Sequence, residues 1–287
     1  MTQPSAGRLH DHSRRYMRCA SRAGTVLLLL GCLSLGLPGL ALGWGRLGHR
    51  ASAQLAESRL TPRARAIIRD LLEAGEALAD ASTWADENAR DIPGSAAWHF
   101  VNVPISSTRY NPRYCRPQGC VVTMISEFRR IISDRHATRS QRRMALRFFV
   151  HLVQDLHQPL HIADRNDRGG NNLQLQYGRF ESTNLHQLWD SGLLFRHYRH
   201  EGELLSDLVA LARQPAARGW PAGSIEDWAN ESLNVGRRAY LIPGSNYYLR
   251  PGGSIGRDYE KENLPRVLER LARAGVRLAS LLNETLQ

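Results

Sequence analysis

The peptide FFVHLVQDLHQPLH, residues 148–161, combines an apolar helical pattern with three histidines and one aspartate. A helix that is apolar on most faces is buried, and a buried histidine or aspartate must be hydrogen-bonded, paired or bound to a metal. His151 and Asp155 are four residues apart, so their side chains share one helix face. Pro159 can kink the helix and turn His161 back toward that face. We therefore predict a buried helix that carries nitrogen and oxygen donors, which zinc accepts.

The same four-residue spacing recurs at His186 and Asp190. A single H-x-x-x-D is usually a surface pair or a core hydrogen bond, but two copies in one chain favour metal ligands. Asp86 in W-A-D and His99 in W-H-F each place one more donor beside a large aromatic side chain. Four other histidines are predicted to be structural or solvent-facing: His157, His136, His197 and His200.

The rest of the chain shows mainly helical spacing of apolar residues. The predicted helices are residues 62–72 with Thr61 as N-cap and Pro62 as N1, residues 121–135, a longer helix capped by Ser140 that extends through residue 153, and residues 184–198, 204–213 and 258–286. Ser224 and Asp227 resemble a capping box before another helix, and Pro265 and Gly275 are predicted to interrupt the last one. Residues 101–120 and 164–183 are loop-rich, with at most a short hairpin at residues 173–177. These patterns predict a single all-α domain with long loops.

Residues 1–43 have the composition of a secretory signal. Five arginines precede an apolar run over residues 23–42, and Ala41-Leu42-Gly43 resembles a signal-peptidase site. An N-terminal membrane anchor is the alternative, because about 20 apolar residues can span a bilayer. Cleavage would leave a domain of residues 44–287 whose free amino group belongs to Trp44. That amino nitrogen and the Trp44 carbonyl oxygen could chelate a metal, so cleavage would complete such a site.

The composition, with 42% hydrophobic and 23% charged residues, is that of a globular protein. Residues 1–43 hold five arginines and one aspartate, so without them the formal charge of +11 falls to +7. A positive, exported protein favours nucleic acid, phosphates or anionic lipid as partners, although high-GC coding explains the arginines equally well. Cys115 and Cys120 close a short loop, which predicts a disulfide in an oxidising compartment.

Across residues 44–287 these features resemble the S1/P1 nuclease family, which consists of zinc enzymes with the phospholipase C/P1 nuclease fold. The family's ligands follow one order: an N-terminal Trp, a His five residues later, the Asp of W-A-D, a His, then H-x3-D-x5-H and H-x3-D. All nine are present here in that order: Trp44, His49, Asp86, His99, His151, Asp155, His161, His186 and Asp190. The D-x-G-G-N loop at residues 167–171 and the C-x4-C loop also match.

The resemblance implies three zinc ions per chain. The implied ligand sets are Asp86, His99 and His151 for one ion, the Trp44 amino nitrogen and carbonyl with His49 for a second, and His161, His186 and Asp190 for the third, with Asp155 bridging the first two. It further implies that a zinc-activated water cleaves single-stranded RNA and DNA to 5′-nucleotides, and that the 3′-phosphate of mononucleotides is removed. Asp86, also a ligand, and Arg90 are the catalytic residues implied.

The resemblance places substrate contacts on Phe100, Asn102 and Asn171. Phe100 could stack on a base of any sequence, with core packing as the alternative. Arg90 stands one residue beyond the family's usual arginine position. On a helix either offset keeps roughly the same face, so we expect Arg90 near the phosphate.

Two other functions compete with the nuclease. In the phospholipase C branch of the fold the first histidine is farther from the tryptophan and the last ligand is glutamate, whereas this chain has His49 and Asp190. A non-catalytic basic binding protein would not account for nine donors in order. We expect an exported monomer, periplasmic or extracellular, with nucleic acid and 3′-nucleotides as substrates and no stable membrane association after cleavage. The sequence does not decide between RNA and DNA as the substrate.

Overall fold

The structure is a computed structural model that describes residues 44–178 and 181–287. The predicted secretory signal, residues 1–43, lies outside the described residues. The described chain is mostly helical, as predicted, with two small sheets. Its α-helices are α1 (Arg46–Ser58), α2 (Pro62–Leu71), α3 (Leu78–Asn88), α4 (Val121–Ser133), α5 (Arg139–Asp155), α6 (Leu185–Gln187), α7 (Leu193–Phe195), α8 (Glu201–Arg213), α9 (Ile225–Ala239) and α10 (Arg257–Thr285). None of the helices described is both long and apolar enough to cross a bilayer.

Helix α5 is the buried helix that the opening peptide predicts. The Thr138 side chain accepts a hydrogen bond from Gln141 N, and the Gln141 side chain accepts one from Thr138 N. The prediction that Ser140 caps this helix is therefore wrong by two residues. A capping box needs Glu or Gln three positions after the cap, and Ser140 has Arg143 there, whereas Thr138 has Gln141.

The apolar surface of α5 is enclosed by α1, α3, α4 and α10. Phe148 stacks on Phe128 of α4 with ring centroids 4.9 Å apart. It also meets Trp84 and Trp98 edge-on at 5.7 and 5.2 Å, an arrangement that aromatic rings favour. Because residues 148–155 are all buried, the polar groups of this stretch have to find partners inside the protein.

Helix α5 ends at Asp155 instead of continuing through a kink at Pro159, so the predicted kink is wrong. Pro159 opens a short 3-10 turn, Pro159–His161, because proline lacks the N–H that a helix interior requires. The chain still changes direction as expected. His161 Nδ1 comes within 3.8 Å of Asp155 Oδ1, so ending the helix brings His161 close to Asp155.

The sequence predicts at most one short hairpin, whereas the described chain contains two small sheets. Strand β3 (Gln174–Tyr177) pairs with antiparallel β4 (Glu181–Asn184) and with parallel β5 (Ser254–Ile255). Strand β1 (Val103–Pro104) pairs in parallel with β2 (Ala163–Asp164). The second pairing sets the chain that follows His99 beside the chain that follows His161, so it joins two parts of the site that are distant in sequence.

The predicted helix at residues 184–198 consists of α6, a π-helical turn (Leu188–Gly192) and α7. Its N-cap is Asn184, whose side chain accepts a hydrogen bond from Gln187 N. His186 and Asp190 lie on this segment, and His186 Nε2 is 3.4 Å from Asp190 Oδ2. Single π-turns of this kind are frequent at functional sites.

The last helix runs unbroken through Pro265 and Gly275, so the predicted interruptions are wrong. Burial of the helix, with Val267 and Leu271 fully buried, outweighs the loss of one hydrogen bond at the proline. A Cβ on Gly275 would lie 2.7 Å from Ser52 O, so the glycine permits close approach of α10 to α1. Helix α2 with its Thr61 cap and the capping box before α9 are confirmed, and α8 begins three residues earlier than predicted.

Candidate metal centre

Asp155 lies at the middle of a buried cluster of histidines and is itself fully buried. Its Oδ2 is 3.0 Å from His99 Nδ1 and 3.1 Å from His151 Nε2. Its Oδ1 is 3.4 Å from His49 Nε2. Helix α1, the turn Ser95–His99 and helix α5 therefore converge on one carboxylate.

Three groups of donor atoms in the described chain could each hold a metal ion, since the donor atoms within each group lie within 4.8 Å of one another. The groups are His49, His151 and Asp155; Asp86, His99 and His151; and His161, His186 and Asp190. All eight histidines and aspartates that the sequence singles out as ligands belong to these groups. The first two groups share His151, so two sites adjoin and the third is separate.

Trp44 lies beside the first group. Its side chain is fully buried, and the indole Nε1–H donates to Gln154 O at 3.1 Å. Gln154 directly precedes Asp155 in α5. This contact anchors the first residue of the predicted domain to the helix that carries the central carboxylate.

Three of the histidines are oriented by backbone carbonyls. The Nδ1 atoms of His151, His161 and His186 each lie 2.7 Å from a carbonyl oxygen, that of Ser82, His99 and Gly169 respectively. A metal-binding histidine usually donates its second ring N–H in this way, which leaves the other nitrogen free for the ion.

Several buried donor atoms have no hydrogen-bond partner among the described residues. They are His49 Nε2, His99 Nε2, Asp155 Oδ1, His161 Nε2 and His186 Nε2. A buried polar atom without a partner is costly, and the residues that carry these five atoms all belong to the three groups. Imidazole and carboxylate donors in groups of three or four suit zinc, so the residues present fit that metal.

Two buried glutamines on the same stretch were not anticipated as site residues. The Gln154 side chain binds both His49 Nδ1 and, at 3.1 Å, the His49 carbonyl oxygen. The Gln158 Nε2 donates to Asp190 Oδ1 at 2.5 Å. Both lie in the peptide FFVHLVQDLHQPLH, where burial of an amide already implies that it must be hydrogen-bonded. Their partners could not be read from the sequence because they are distant along the chain.

The electrostatics of the first two groups favour ionised aspartates. Burial would lower the pKa of His151, but the charges of Asp155 and Asp86 raise it well above its usual value. Burial would likewise raise the pKa of Asp155, yet the positive charge of His151 holds it well below its ordinary range. A cation in place of the imidazole proton would preserve this balance.

The third group has the opposite character. Burial, reinforced by the charge of His161, lowers the pKa of His186 to about 3. Burial also raises the pKa of Asp190 well above its usual value, against the hydrogen bond from Gln158. The protein alone therefore favours neutral imidazoles and an uncharged Asp190 carboxyl group, because the ionised form of Asp190 lacks a counter-charge. These are conditions that a bound cation relieves.

The predicted substrate residues lie on loops near the centre. Phe100 follows His99, is half-buried, and has the Arg116 guanidinium 6.0 Å from its ring centroid. Asn102 is half-buried and precedes β1. The Asn171 side chain donates to Arg168 O at 2.9 Å within the D-x-G-G-N loop.

Arg90 is exposed and lies beyond the end of α3. That helix ends at Asn88, with Ala89 as its C-cap. Because the helix does not extend to Arg90, helical spacing no longer supports the expectation that Arg90 shares the face of Asp86. Its role toward phosphate stays a prediction that rests on the resemblance alone.

The remaining histidines and the cysteines behave largely as predicted. His157 is structural but fully buried, with its Nδ1 2.7 Å from Val153 O and its Nε2 3.0 Å from Arg277 Nη1. His136, His197 and His200 are exposed. Cys115 and Cys120 form the predicted disulfide.

Comparison with known proteins places the chain among nucleases. A family model described as S1/P1 Nuclease matches residues 44–287. Nuclease S1 of Aspergillus oryzae is 29% identical over 283 residues, which cover 90% of this chain and 96% of that protein. Endonuclease 4 of Arabidopsis thaliana is 30% identical over 280 residues, covering 85% and 89%. Nuclease P1 of Penicillium citrinum is 27% identical over 266 residues, covering 84% and 97%.

These matches bear on the competing functions. The family model spans every residue that the structure describes, including the three groups of donors. The matches support the nuclease and give no support to the phospholipase C alternative or to a non-catalytic basic protein. The chain therefore belongs to the S1/P1 nuclease family and is a phosphodiesterase.

Proposed function

We propose that the chain is an exported, zinc-dependent endonuclease and 3′-nucleotidase that acts on single-stranded nucleic acid and carries three zinc ions. The observation that supports this best is the presence of three groups of ligand residues near Asp155. Within each group, the ligand atoms lie within 4.8 Å of one another. Asp86, His99 and His151 would hold one ion, and His49 with the Trp44 amino nitrogen and carbonyl a second. Asp155 would bridge them, and His161, His186 and Asp190 would hold the third.

The protein's own contribution is to hold the histidine and aspartate ligands in fixed orientations in a buried site. When bound, the ions would lower the pKa of water and polarise the phosphate. Ser82, His99 and Gly169 carbonyls hold three imidazoles with one nitrogen directed away from them. Asp155, set between His49 and His151, supplies one carboxylate oxygen to each side. Such preorganisation avoids reorganising the site during the reaction.

Substrate contacts would come from the loops that surround the centre. Phe100 lies beside His99 and outside the two hydrophobic cores of the described chain, so its ring can stack on a base. Asn102 and Asn171 would accept or donate hydrogen bonds to a base edge. Arg90, exposed after α3, would neutralise phosphate charge. A splayed base can reach such a pocket, which favours single strands.

Cleavage after Gly43 would complete the second site, and this is the first property to test. We expect the chain that begins at Trp44 to hold about three zinc ions and to cleave single-stranded DNA or RNA. One alanine added before Trp44 should convert the Trp44 amino nitrogen into a peptide amide that no longer binds zinc, reduce the zinc content by about one, and lower kcat/KM at least about a hundredfold. The measurements are metal analysis and initial rates on a single-stranded oligonucleotide.

The control is the same pair of proteins after treatment with a chelator and return of zinc. Recovery only in the chain that begins at Trp44 would support the amino-terminal site. Equal zinc and equal activity in both proteins would exclude it. A correctly begun chain with no stoichiometric metal, or with zinc and phospholipid turnover but no nuclease activity, would overturn the proposed function.

Gln154 provides a test that does not depend on the reaction. We expect Gln154→Leu to weaken zinc affinity about 10–100-fold, as loss of an outer-shell partner typically does, because His49 loses the acceptor of its Nδ1–H. Gln154→Glu keeps the acceptor for His49 Nδ1–H but loses the N–H that binds the His49 carbonyl oxygen, so it should recover only part of the affinity. Zinc competition against a chelator measures this directly.

The matched control is Gln54→Leu on α1, the helix that carries His49. Gln54 donates to Glu201 Oε2 at 2.7 Å and does not contact the donor groups. It should lower stability slightly and leave zinc affinity unchanged. Equal zinc affinity in Gln154→Leu and the unmodified protein would assign Gln154 a purely structural role.

A further inference from the structure

One turn of the chain, residues 242–249, holds aromatic side chains in solvent. Five large hydrophobic side chains are exposed in the described part of the protein, and three of them lie here: Ile242, Tyr247 and Tyr248, exposed by 43%, 75% and 42%. We call residues 242–249 the tyrosine turn. Exposed apolar side chains gathered in one place commonly mark an interaction surface.

The tyrosine turn is ordered by its own hydrogen bonds. Ile242 N donates to Tyr247 O, and Leu249 N donates to Tyr240 O, both at 2.8 Å. Ser245 Oγ accepts a further bond from Tyr247 N at 3.2 Å. The exposed rings are therefore carried by an ordered backbone, so binding a ligand would cost little backbone conformational entropy.

Arg165 joins the turn to the rest of the molecule. Its guanidinium lies 4.4 Å from the centroid of the Tyr248 ring, and its Nη1 donates to Leu249 O at 3.2 Å. Among the described residues, no carboxylate oxygen lies within 4.0 Å of the Arg165 guanidinium nitrogens. Arg165 is itself exposed, so its charge is available to an external anion.

A single loop separates the tyrosine turn from the third donor group. Arg165 is four residues after His161. Within the loop Asp167 Oδ1 accepts hydrogen bonds from Tyr240 Oη at 2.7 Å and Gly170 N at 2.8 Å. The neighbouring Gly169 O binds His186 Nδ1. The same short segment thus contacts the base of the tyrosine turn on one side and a candidate ligand on the other.

Exposed rings beside an unpaired guanidinium suit single-stranded nucleic acid. Aromatic side chains stack on bases of any sequence, and arginine binds the backbone phosphate. We propose that Arg165, Tyr247 and Tyr248 form a second contact for polynucleotide, next to the third donor group and outside the position where the scissile phosphate would lie. This inference rests on the proposed nuclease function. It predicts that long strands gain affinity that a dinucleotide, too short to reach the turn, does not.

The test measures KM of the zinc-loaded enzyme for two substrates, an oligothymidylate of twenty nucleotides and the dinucleotide TpT. Tyr247→Ala and Tyr248→Ala should each raise KM for the long strand about five- to tenfold, the lower part of the range for one lost base stack. KM for TpT and zinc content should stay within about twofold of the unmodified values, since exposed stacking side chains contribute to neither. Tyr248→Phe keeps the ring and should behave as the unmodified enzyme.

Arg165→Ala tests the charge. It should raise KM for the long strand and make its logarithmic dependence on salt shallower by about 0.7, the value for one phosphate contact to a single strand. Arg130→Ala is the matched control, since it removes the same charge from α4, where Arg130 Nη2 pairs with Glu127 at 2.7 Å. The control should change neither KM nor the salt dependence.

The outcomes separate this inference from the proposed function. An unmodified enzyme that cleaves neither probe would overturn the nuclease itself. Cleavage of both probes with no change in the tyrosine variants, or with KM raised equally for both, would overturn only the second contact. Binding to anionic phospholipid vesicles that the tyrosine variants lose, with unchanged KM for the long strand, would assign the tyrosine turn to a membrane surface and also overturn it.

Discussion

Asp155→Asn should reduce kcat/KM on single-stranded oligonucleotides at least about a thousandfold, as expected when a central metal-site group is lost. The carboxylate is fully buried and lies within 3.4 Å of donor nitrogens on three histidines. An amide has nearly the same shape but carries no charge and has only one acceptor oxygen. Zinc content should fall as well, with the third group, His161, His186 and Asp190, retaining its ion.

Rate and metal content together make this prediction specific. Asp70→Asn is the control, since Asp70 is an exposed carboxylate of α2 that lies 3.6 Å from Arg139. We expect no effect on either quantity from that change. An Asp155→Asn protein that keeps both its zinc and its activity would show that the carboxylate does not bridge two sites. A folded variant that loses zinc without losing activity would contradict the metal mechanism as a whole.

Glu231→Ala should destabilise the protein by about 3–5 kcal/mol, the usual effect of removing one partner of a buried ion pair. Arg270 and Arg277 are buried, with 3% and 1% exposure. Glu231 Oε2 lies 2.8 Å from Arg270 Nη1 and 2.7 Å from Arg277 Nη1, and Oε1 lies 2.7 Å from Arg277 Nη2. Without Glu231 two guanidinium groups lose their counter-ion. For a domain of this size Tm should fall by roughly 6–20 °C.

This network also supports the end of α5. Arg270 Nε donates to His157 O at 3.2 Å, two residues after Asp155. Burial, with the positive charges of Arg270 and Arg277, keeps the pKa of His157 well below its usual value. His157 is therefore neutral and accepts the hydrogen bond from Arg277. Thermal unfolding measures the loss of stability in Glu231→Ala. Glu127→Ala is the control, because the exposed ion pair of Glu127 with Arg130 should contribute less than about 1 kcal/mol.

The same carboxylate gives a stability that depends on pH. Burial opposes its ionisation, but hydrogen bonds from Arg277 and Arg270 lower the pKa of Glu231 to about 2. A group whose pKa is lowered by folding stabilises the protein above its unfolded pKa, and that contribution disappears as pH falls toward the folded value. Stability should therefore decline between about pH 4.5 and 2. Because about a third of the side chain is exposed, we expect on the order of 1–2 kcal/mol. Glu231→Gln should show a flatter decline, and an unchanged decline would contradict this assignment.

Much of the site could be predicted from local spacing. His151 with Asp155, and His186 with Asp190, are four residues apart, and a helical turn brings such pairs together whatever surrounds it. The burial of α5 followed from its apolar faces. The disulfide followed from two cysteines that close a short loop. These are properties of neighbours in the chain, so the sequence contains them.

The boundaries and some contacts could not be predicted in this way. Thr138 rather than Ser140 caps α5 because of the side chain three residues later, and α3 ends before Arg90. Pro265 lies inside α10 because packing of the buried face outweighs one missing hydrogen bond. Each of these is a competition between energies of similar size. Local propensity alone does not decide such competitions.

The sequence by itself determined the identity and order of the donors, the helical class of the fold and the family. Only the tertiary structure decided that Gln154 and Gln158 hold His49 and Asp190, and that Arg165 joins the tyrosine turn to the loop beside His186. The physical reason is that donor chemistry and helical spacing are carried by neighbouring residues. Contacts between residues more than thirty positions apart exist only once the helices have packed around a common core.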